Sequence, residues 1–197
     1  MKFNSLDIIK KHIDEHSFTL EKLSLLHNEI EVVAESIVKC IECGGKILIC
    51  GNGGSAADAQ HFAAEIVGRY LRERPGLPAL SLTSDSSILT AVSNDYGFDN
   101  LFSRQIEALA KENDILIVIS TSGNSKNLIN AIKMAKRKKI SSIGFLGNNG
   151  GKAKELVNQS IVVPSNKTAH IQEMHITIIH IICMIIDKSV QYKWIYI

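Results

Sequence analysis

Lys46-Ile-Leu-Ile-Cys-Gly-Asn-Gly-Gly-Ser-Ala-Ala-Asp-Ala-Gln-His-Phe-Ala-Ala-Glu65 is the stretch from which the fold can be read. Ile47 to Cys50 is a short apolar, β-branched run of the kind that forms a parallel strand buried on both faces. Gly51, Gly53 and Gly54 then permit a tight turn whose backbone a ligand can approach without meeting a Cβ. Ser55 is placed to cap an Ala-rich helix that runs to about Leu71. Strand, glycine turn and helix start gather free N–H groups and a positive dipole end at one point, which suits an oxyanion. Within the helix His61 and Glu65 are four residues apart and project from one face, as an acid–base or metal pair.

Two nucleotide-binding readings of this loop fail. Gly51-Asn-Gly-Gly-Ser-Ala56 fits G-x-G-x-x-A, but the acidic partner of a dinucleotide site belongs at a strand end about 20 residues on. That distance lands on Arg72-Glu73-Arg74-Pro75, which reads as a polar turn. No Gly-Lys-Ser/Thr follows the glycines, so the loop is not a P-loop.

The bulk of the chain is in keeping with one α/β domain spanning residues 1–197. Its 197 residues are 45% hydrophobic and 21% charged, enough for a single sizeable core. A formal net charge of +2 argues against a nucleic-acid surface. The basic cluster from Lys133 to Lys139 falls at a helix end, where it complements the dipole. Cys40-Ile-Glu-Cys43 ends a helix where a redox motif would begin one, so its thiols read as core or surface groups. Lys2, Asp7, Lys10 and Lys11 interrupt any signal-peptide core, and the apolar run Ile176–Ile186 is too short to span a bilayer. A reducing, cytoplasmic setting without membrane or nucleic-acid partners is expected.

Working outward, residues 5–44 carry two helical stripes, closed by Gly44-Gly45. Pro78–Leu82, Asp114–Ile119, Ile140–Leu146 and Ile161–Val163 read as further strands, with helices between them. Asn94-Asp95-Tyr-Gly97 breaks one helical stretch. Thr168 to about Tyr192 is a long final helix. Five strands alternating with helices predict a three-layer sandwich around a parallel sheet.

Ser120-Thr121-Ser122-Gly123-Asn124-Ser125 is a second loop, between a strand end and a helix start, with four hydroxyls in six residues. Open α/β sheets bind ligands along that edge, and such a loop makes a phosphate cradle. Two such loops fit one phosphate and one polar body better than a dinucleotide. The final helix is apolar almost all round, which predicts packing in an oligomer. Its polar exceptions include Gln172, His175 and His180. Gln172 and His180 are separated by a rise of about 12 Å, so a compact site using both is expected to be shared between chains.

Together these segments resemble the sugar isomerase (SIS) superfamily, and closely its bacterial phosphoheptose isomerases. The motifs that carry the likeness are Gly51–Glu65, Ser93-Asn-Asp-Tyr-Gly-Phe98, Ile119-Ser-Thr-Ser-Gly-Asn-Ser125 and Ile171-Gln-Glu-Met-His-Ile176. The resemblance implies the SIS fold and a homotetramer that makes a heptose 7-phosphate for cell-envelope glycans. It implies sugar contacts at Asn52, Gly53, Gly54, Ser55, Asn94 and Asp95. Phosphate contacts follow at Ser120, Thr121, Ser122 and Ser125, with Gln172 also on the ligand. It implies zinc at His61, Glu65, Gln172 and His180. The chain departs from the pattern at His170, where such sequences usually carry Arg, and in the aromatic tail Tyr192–Ile197.

Moving a proton between C1 and C2 of a ketose needs a base, and an acid or electrophile at the carbonyl. Glu65 is assigned as base, also within reach of substrate, and His180 as acid; zinc on the four-residue set is the other electrophile. SIS relatives that bind a sugar phosphate or a protein without catalysis are the alternative. Such an adaptor is expected to lack the Glu65 and His180 equivalents, which this chain keeps.

Overall fold

A computed structural model describes residues 4–190. Two helices, α1 (Ser5–Leu23) and α2 (His27–Glu42), lead into β1 (Ile47–Gly51) and α3 (Gly54–Val67). There follow β2 (Ala79–Ser81), α4 (Ser86–Tyr96), α5 (Leu101–Leu109), β3 (Ile115–Ser120) and α6 (Lys126–Arg137). β4 (Ser141–Leu146), α7 (Gly151–Lys154), β5 (Gln159–Val162) and α8 (Thr168–Ser189) complete the described chain.

The five strands form one parallel sheet in the order β2-β1-β3-β4-β5. Strand alternation sorts the core into two layers. Ile47 and Ile49 join Ile115, Ile117, Ile119 and Phe145 under α2, α3 and α8. Leu48 and Cys50 join Leu116 and Val118 under α5, α6 and α7. The expected three-layer sandwich is what forms. Strand order reverses between β1 and β3, so the two candidate loops leave adjacent strands at the topological switch point, where ligands of such sheets bind.

Several local expectations are corrected. Helix α3 starts at Gly54, with Gly53 as its N-cap at φ 57, so Ser55 does not cap the helix but lies buried in its first turn. α3 also ends at Val67 and not near Leu71, because Arg74 folds back under it. The Arg74 guanidinium donates to the carbonyls of Glu65 (2.7 Å) and Ile66 (2.8 Å) and to Asp187 Oδ1 (2.8 Å). The polar turn at 72–76 is therefore anchored by an arginine only 5% exposed. Asn94 and Asp95 lie within the last turn of α4, which ends at Tyr96 with Gly97 (φ 80) as its C-cap, inside the segment expected to break it. The aromatic tail from Tyr192 falls outside the described residues.

Helix α8 has the length and apolarity of a membrane span. Its buried residues nevertheless include His170, His175 and Asp187, each hydrogen-bonded inside the protein, which is the signature of a core helix. It lies beside α3, and their contacts rise together along both sequences. Gln172 packs on Gly54, His180 Nε2 is 3.3 Å from His61 Nε2, and Asp187 Oδ2 accepts the N–H groups of Leu71 (2.8 Å) and Arg72 (3.0 Å). The two helices thus run parallel in one register.

Candidate active site

This parallel seam explains why residues eight apart on α8 serve one chain without strain. Gln172 reaches the glycine loop, while His180 reaches the α3 side chains about two turns further on. His61 Nε2 stands 3.3 Å from His180 Nε2 and 3.4 Å from Glu65 Oε1. One chain therefore brings His61, Glu65 and His180 onto one seam. The Tyr70 ring stacks on His180 with centroids 5.7 Å apart, fixing the imidazole plane. Glu65 is 26% exposed and His61 43%, so the group stays open to solvent and to a ligand.

Two zinc ligands at about 2.0–2.1 Å and a tetrahedral angle lie about 3.3–3.4 Å apart. Both separations at His61 match that spacing, and two imidazoles with a carboxylate are donors that zinc accepts. Each pair at His61 fits the ion, while Glu65 and His180 stand further apart and would have to draw together around it. Gln172, the fourth member of the expected set, is placed differently: its amide packs where a Cβ on Gly54 would sit. Among the described residues, the His/carboxylate group whose ligand atoms all lie within 4.8 Å of one another is elsewhere, at His12, His170 and Glu173.

The two loops are tied together by an amide pair. Asn52 Nδ2 donates to Asn127 Oδ1 (3.0 Å), and Asn127 Nδ2 donates back to Asn52 Oδ1 (2.9 Å). Asn127, in the first turn of α6, is 2% exposed, so this link is a rigid one. Gly53 and Gly54 are exposed beside it and Ser55 is buried beneath. In the second loop Ser120 is buried, and its Oγ accepts the Gly123 N–H (3.0 Å), which shapes the turn. Ser122 Oγ accepts the Asn124 N–H at 3.2 Å. Thr121 is half-buried, and its carbonyl accepts from Asn148 Nδ2 at 2.8 Å. Ser125 is the N-cap of α6, yet its side chain makes no capping bond. Thr121, Ser122 and Ser125, with the open first turn of α6, are thus the available anion donors.

Asn94 and Asp95 are exposed on α4, with Asn94 Nδ2 donating to Asp95 Oδ1 at 2.8 Å. No hydrogen bond joins either to the loops among the described residues.

The SIS domain family matches residues 11–147. Phosphoheptose isomerase 1 of Campylobacter jejuni is 51% identical over 184 residues, covering 93% of this chain and 99% of that protein. The chain belongs to the phosphoheptose isomerases of the SIS family. The solved phosphoheptose isomerase GmhA of Neisseria gonorrhoeae superposes with a TM-score of 0.90 at 42% identity, covering 94% of this chain and all of the other. That of Francisella tularensis gives 0.92 at 40% identity, covering 95% and 100%.

Sequence reasoning passes over three residues that shape this isomerase site. Arg74 holds the Glu65 carbonyl, but nothing local marks it as buried. Asn127 hides behind an ordinary helix start. Asp58, one turn before His61, keeps a buried Oδ2 without a partner, and burial pushes its carboxyl up to about 6. Its three-residue spacing from His61 is the signal that could have found it.

Proposed function

We propose that the chain interconverts sedoheptulose 7-phosphate and D-glycero-D-manno-heptose 7-phosphate, supplying heptose for cell-envelope glycans. The observation that carries this is the seam at His61, with Glu65 and His180 on either side of it, next to two tied loops suited to a sugar phosphate. Thr121, Ser122, Ser125 and the α6 N–H groups hold the phosphate. Asn52, Gly53, Gly54 and Ser55, with Gln172 behind Gly54, hold the sugar hydroxyls, and Asn94 and Asp95 are assigned further sugar contacts.

With the open-chain ketose in place, Glu65 removes a proton from C1 and the electron pair moves into the C1–C2 bond, giving an enediolate. Glu65 then returns the proton to C2. His180 moves a proton between O1 and O2, so that the C2 carbonyl becomes a hydroxyl and C1 becomes the aldehyde. Tyr70 keeps the imidazole facing that edge. His61, with Glu65 and His180 on either side, would hold zinc, which when bound would supply a Lewis acid for the carbonyl oxygen. A carboxylate bound to an ion is a weaker base, so Glu65 is the residue on which the two roles compete.

The chain is read as one cytoplasmic SIS domain that assembles as a homotetramer. Leu6, Ile9, Ile13 and Phe18 of α1 are all more than half exposed, which supports packing of the N-terminal helices against other copies. The test is incubation with sedoheptulose 7-phosphate in heavy water, followed by NMR. New aldose signals with deuterium at C2 are expected. Binding without turnover by metal-loaded protein would favour the sugar-phosphate-binding regulator instead.

A further inference from the structure

Three of the chain's seven histidines gather far along the sequence from the seam, around one carboxylate. His12 and His16 sit four apart on α1, and His170 and Glu173 three apart on α8, so each helix offers a pair from one face. Glu173 Oε1 is 3.1 Å from His12 Nε2, and its Oε2 is 2.7 Å from His16 Nδ1 and 2.9 Å from His170 Nδ1. The His12 and His170 rings lie 4.5 Å apart between centroids. One nitrogen each of His12 and His170 and a Glu173 oxygen thus lie within 4.8 Å of one another, drawn from two helices, while His16 adds a contact to the same carboxylate.

We propose that His12, His170 and Glu173 form a second metal site, specific for a borderline divalent ion such as zinc, that fastens α1 to the start of α8, with His16 holding the Glu173 carboxylate. Two nitrogen donors and one oxygen make three protein ligands and leave the fourth tetrahedral position to water. The Glu173 separations of 3.1 Å from His12 and 2.9 Å from His170 need to open by only a few tenths of an ångström to reach zinc's spacing of about 3.3 Å.

The surroundings are those of a ligating histidine and not only of an ion pair. His170 is 2% exposed, and its outer nitrogen, Nε2, lies 3.4 Å from Glu15 Oε2. Glu15 is held in turn by Lys167. A carboxylate behind the second ring nitrogen fixes the tautomer and raises ligand basicity, which is the usual support for a metal-bound imidazole. Glu15, Lys167 and His170 also line a cavity of about 590 Å³. Together with His12, half exposed, it gives an ion a way in. None of these residues belongs to the His61, Glu65 and His180 group. Because Glu173 follows Gln172, an ion here steadies the turn of α8 that packs on the glycine loop.

The test reads ion content and not turnover, so it stands apart from the isomerase reading. The full-length His61→Ala/His180→Ala chain, stripped with chelator, is titrated with Co²⁺ and then Zn²⁺. It is expected to take up about one ion per chain with a tetrahedral cobalt spectrum, and zinc at a hundredfold excess over Kd is expected to raise Tm by roughly 5–10 °C. Adding His12→Gln, at a half-exposed position, should weaken binding by about 100-fold or more, and Glu15→Gln by about 10–100-fold. His170→Arg keeps a cation on Glu173 but has no lone pair for a metal, so it should fold and yet lose the ion. No tetrahedral cobalt signal in the double variant, or uptake unaltered by both His12→Gln and His170→Arg, would overturn the proposal.

Discussion

The two ends of the α3–α8 seam use the same kinds of residue to opposite ends. At the far end Asp187 is 1% exposed and spends both oxygens on Arg74 and on the N–H groups of Leu71 and Arg72. Two turns earlier, His61, Glu65 and His180 face one another half-open to solvent, with Asp58 Oδ2 unpartnered close by. A saturated polar network can only be broken, so it locks geometry. An unsaturated one has capacity left for a proton, a ligand or an ion. The difference separates stability from chemistry along a single pair of helices, and substitutions at the two ends should separate the same way.

The largest effect belongs to the locked end. Arg74→Ala leaves a buried Asp187 without its counter-charge, and three carbonyls of the α3 terminus lose their donor. A loss of about 3–5 kcal/mol is expected, which for a chain of this size is roughly 6–20 °C in Tm. Thermal unfolding by circular dichroism measures it. A shift under about 2 °C would mean that the guanidinium is not the clasp described here.

The open end should behave in reverse. Glu65→Gln preserves shape and removes the base, so turnover should fall by about 100-fold or more while KM stays within about threefold. Because Glu65 is partly exposed, Tm should move by no more than about 2 °C. Residual turnover above about a tenth of wild type would remove Glu65 from the proton transfer.

The same division decides what could be read from the sequence. The sheet was legible because its strands are continuous apolar runs, and the loops because glycines and hydroxyls sit at strand ends. His61 and Glu65 were legible as a four-residue helical pair. Arg74 was not, since a guanidinium in a Pro/Gly-flanked segment reads as solvated unless its distant partner, Asp187, is known. The meeting of His61 and His180 along one seam also escaped, because the rise along α8 says nothing about a neighbouring helix running parallel to it. Ser55 and Ser120 read as ligand hydroxyls, but each is buried, and Ser120 is engaged in shaping its own turn.

A third region sharpens the contrast by being buried yet incompletely satisfied. His175 is 0% exposed; its Nε2 bonds the Leu146 carbonyl at 3.1 Å and its Nδ1 has no partner. Burial holds its pKa down at about 4, against a modest opposing pull from that carbonyl. The unfolded value is about 6.5, so between these the unfolded chain binds more protons and stability falls as pH falls. From pH 7 to pH 5 this amounts to about 2 kcal/mol. Urea unfolding at the two pH values should show it, and His175→Gln, which can still donate to Leu146, should lose the difference. Below about pH 4 a second loss should set in. Hydrogen bonds from His16, His170 and His12 outweigh burial to hold Glu173 down at about 2; against burial, Arg74 and the Arg72 and Leu71 N–H groups hold Asp187 below the usual carboxylate range.

The smallest expected effect tests the second loop. At an ordinary N-cap, replacing Ser or Asp by Ala costs about 1 kcal/mol of stability, because the side chain satisfies a first-turn N–H. Asp85 is such a cap, with its Oδ1 accepting the Ile88 N–H at 2.9 Å. Ser125 occupies the equivalent position on α6 and makes no such bond. If its hydroxyl is held in reserve for the substrate phosphate, Ser125→Ala should leave Tm unchanged while raising KM by about 2–10-fold, the worth of one hydrogen bond. Asp85→Ala should do the opposite, lowering Tm by about 2–4 °C with KM unaltered. Steady-state kinetics and thermal unfolding on the two variants settle the matter together. Equal Tm losses would show that Ser125 is a cap after all, and that the phosphate is held by Thr121, Ser122 and the helix N–H groups without it.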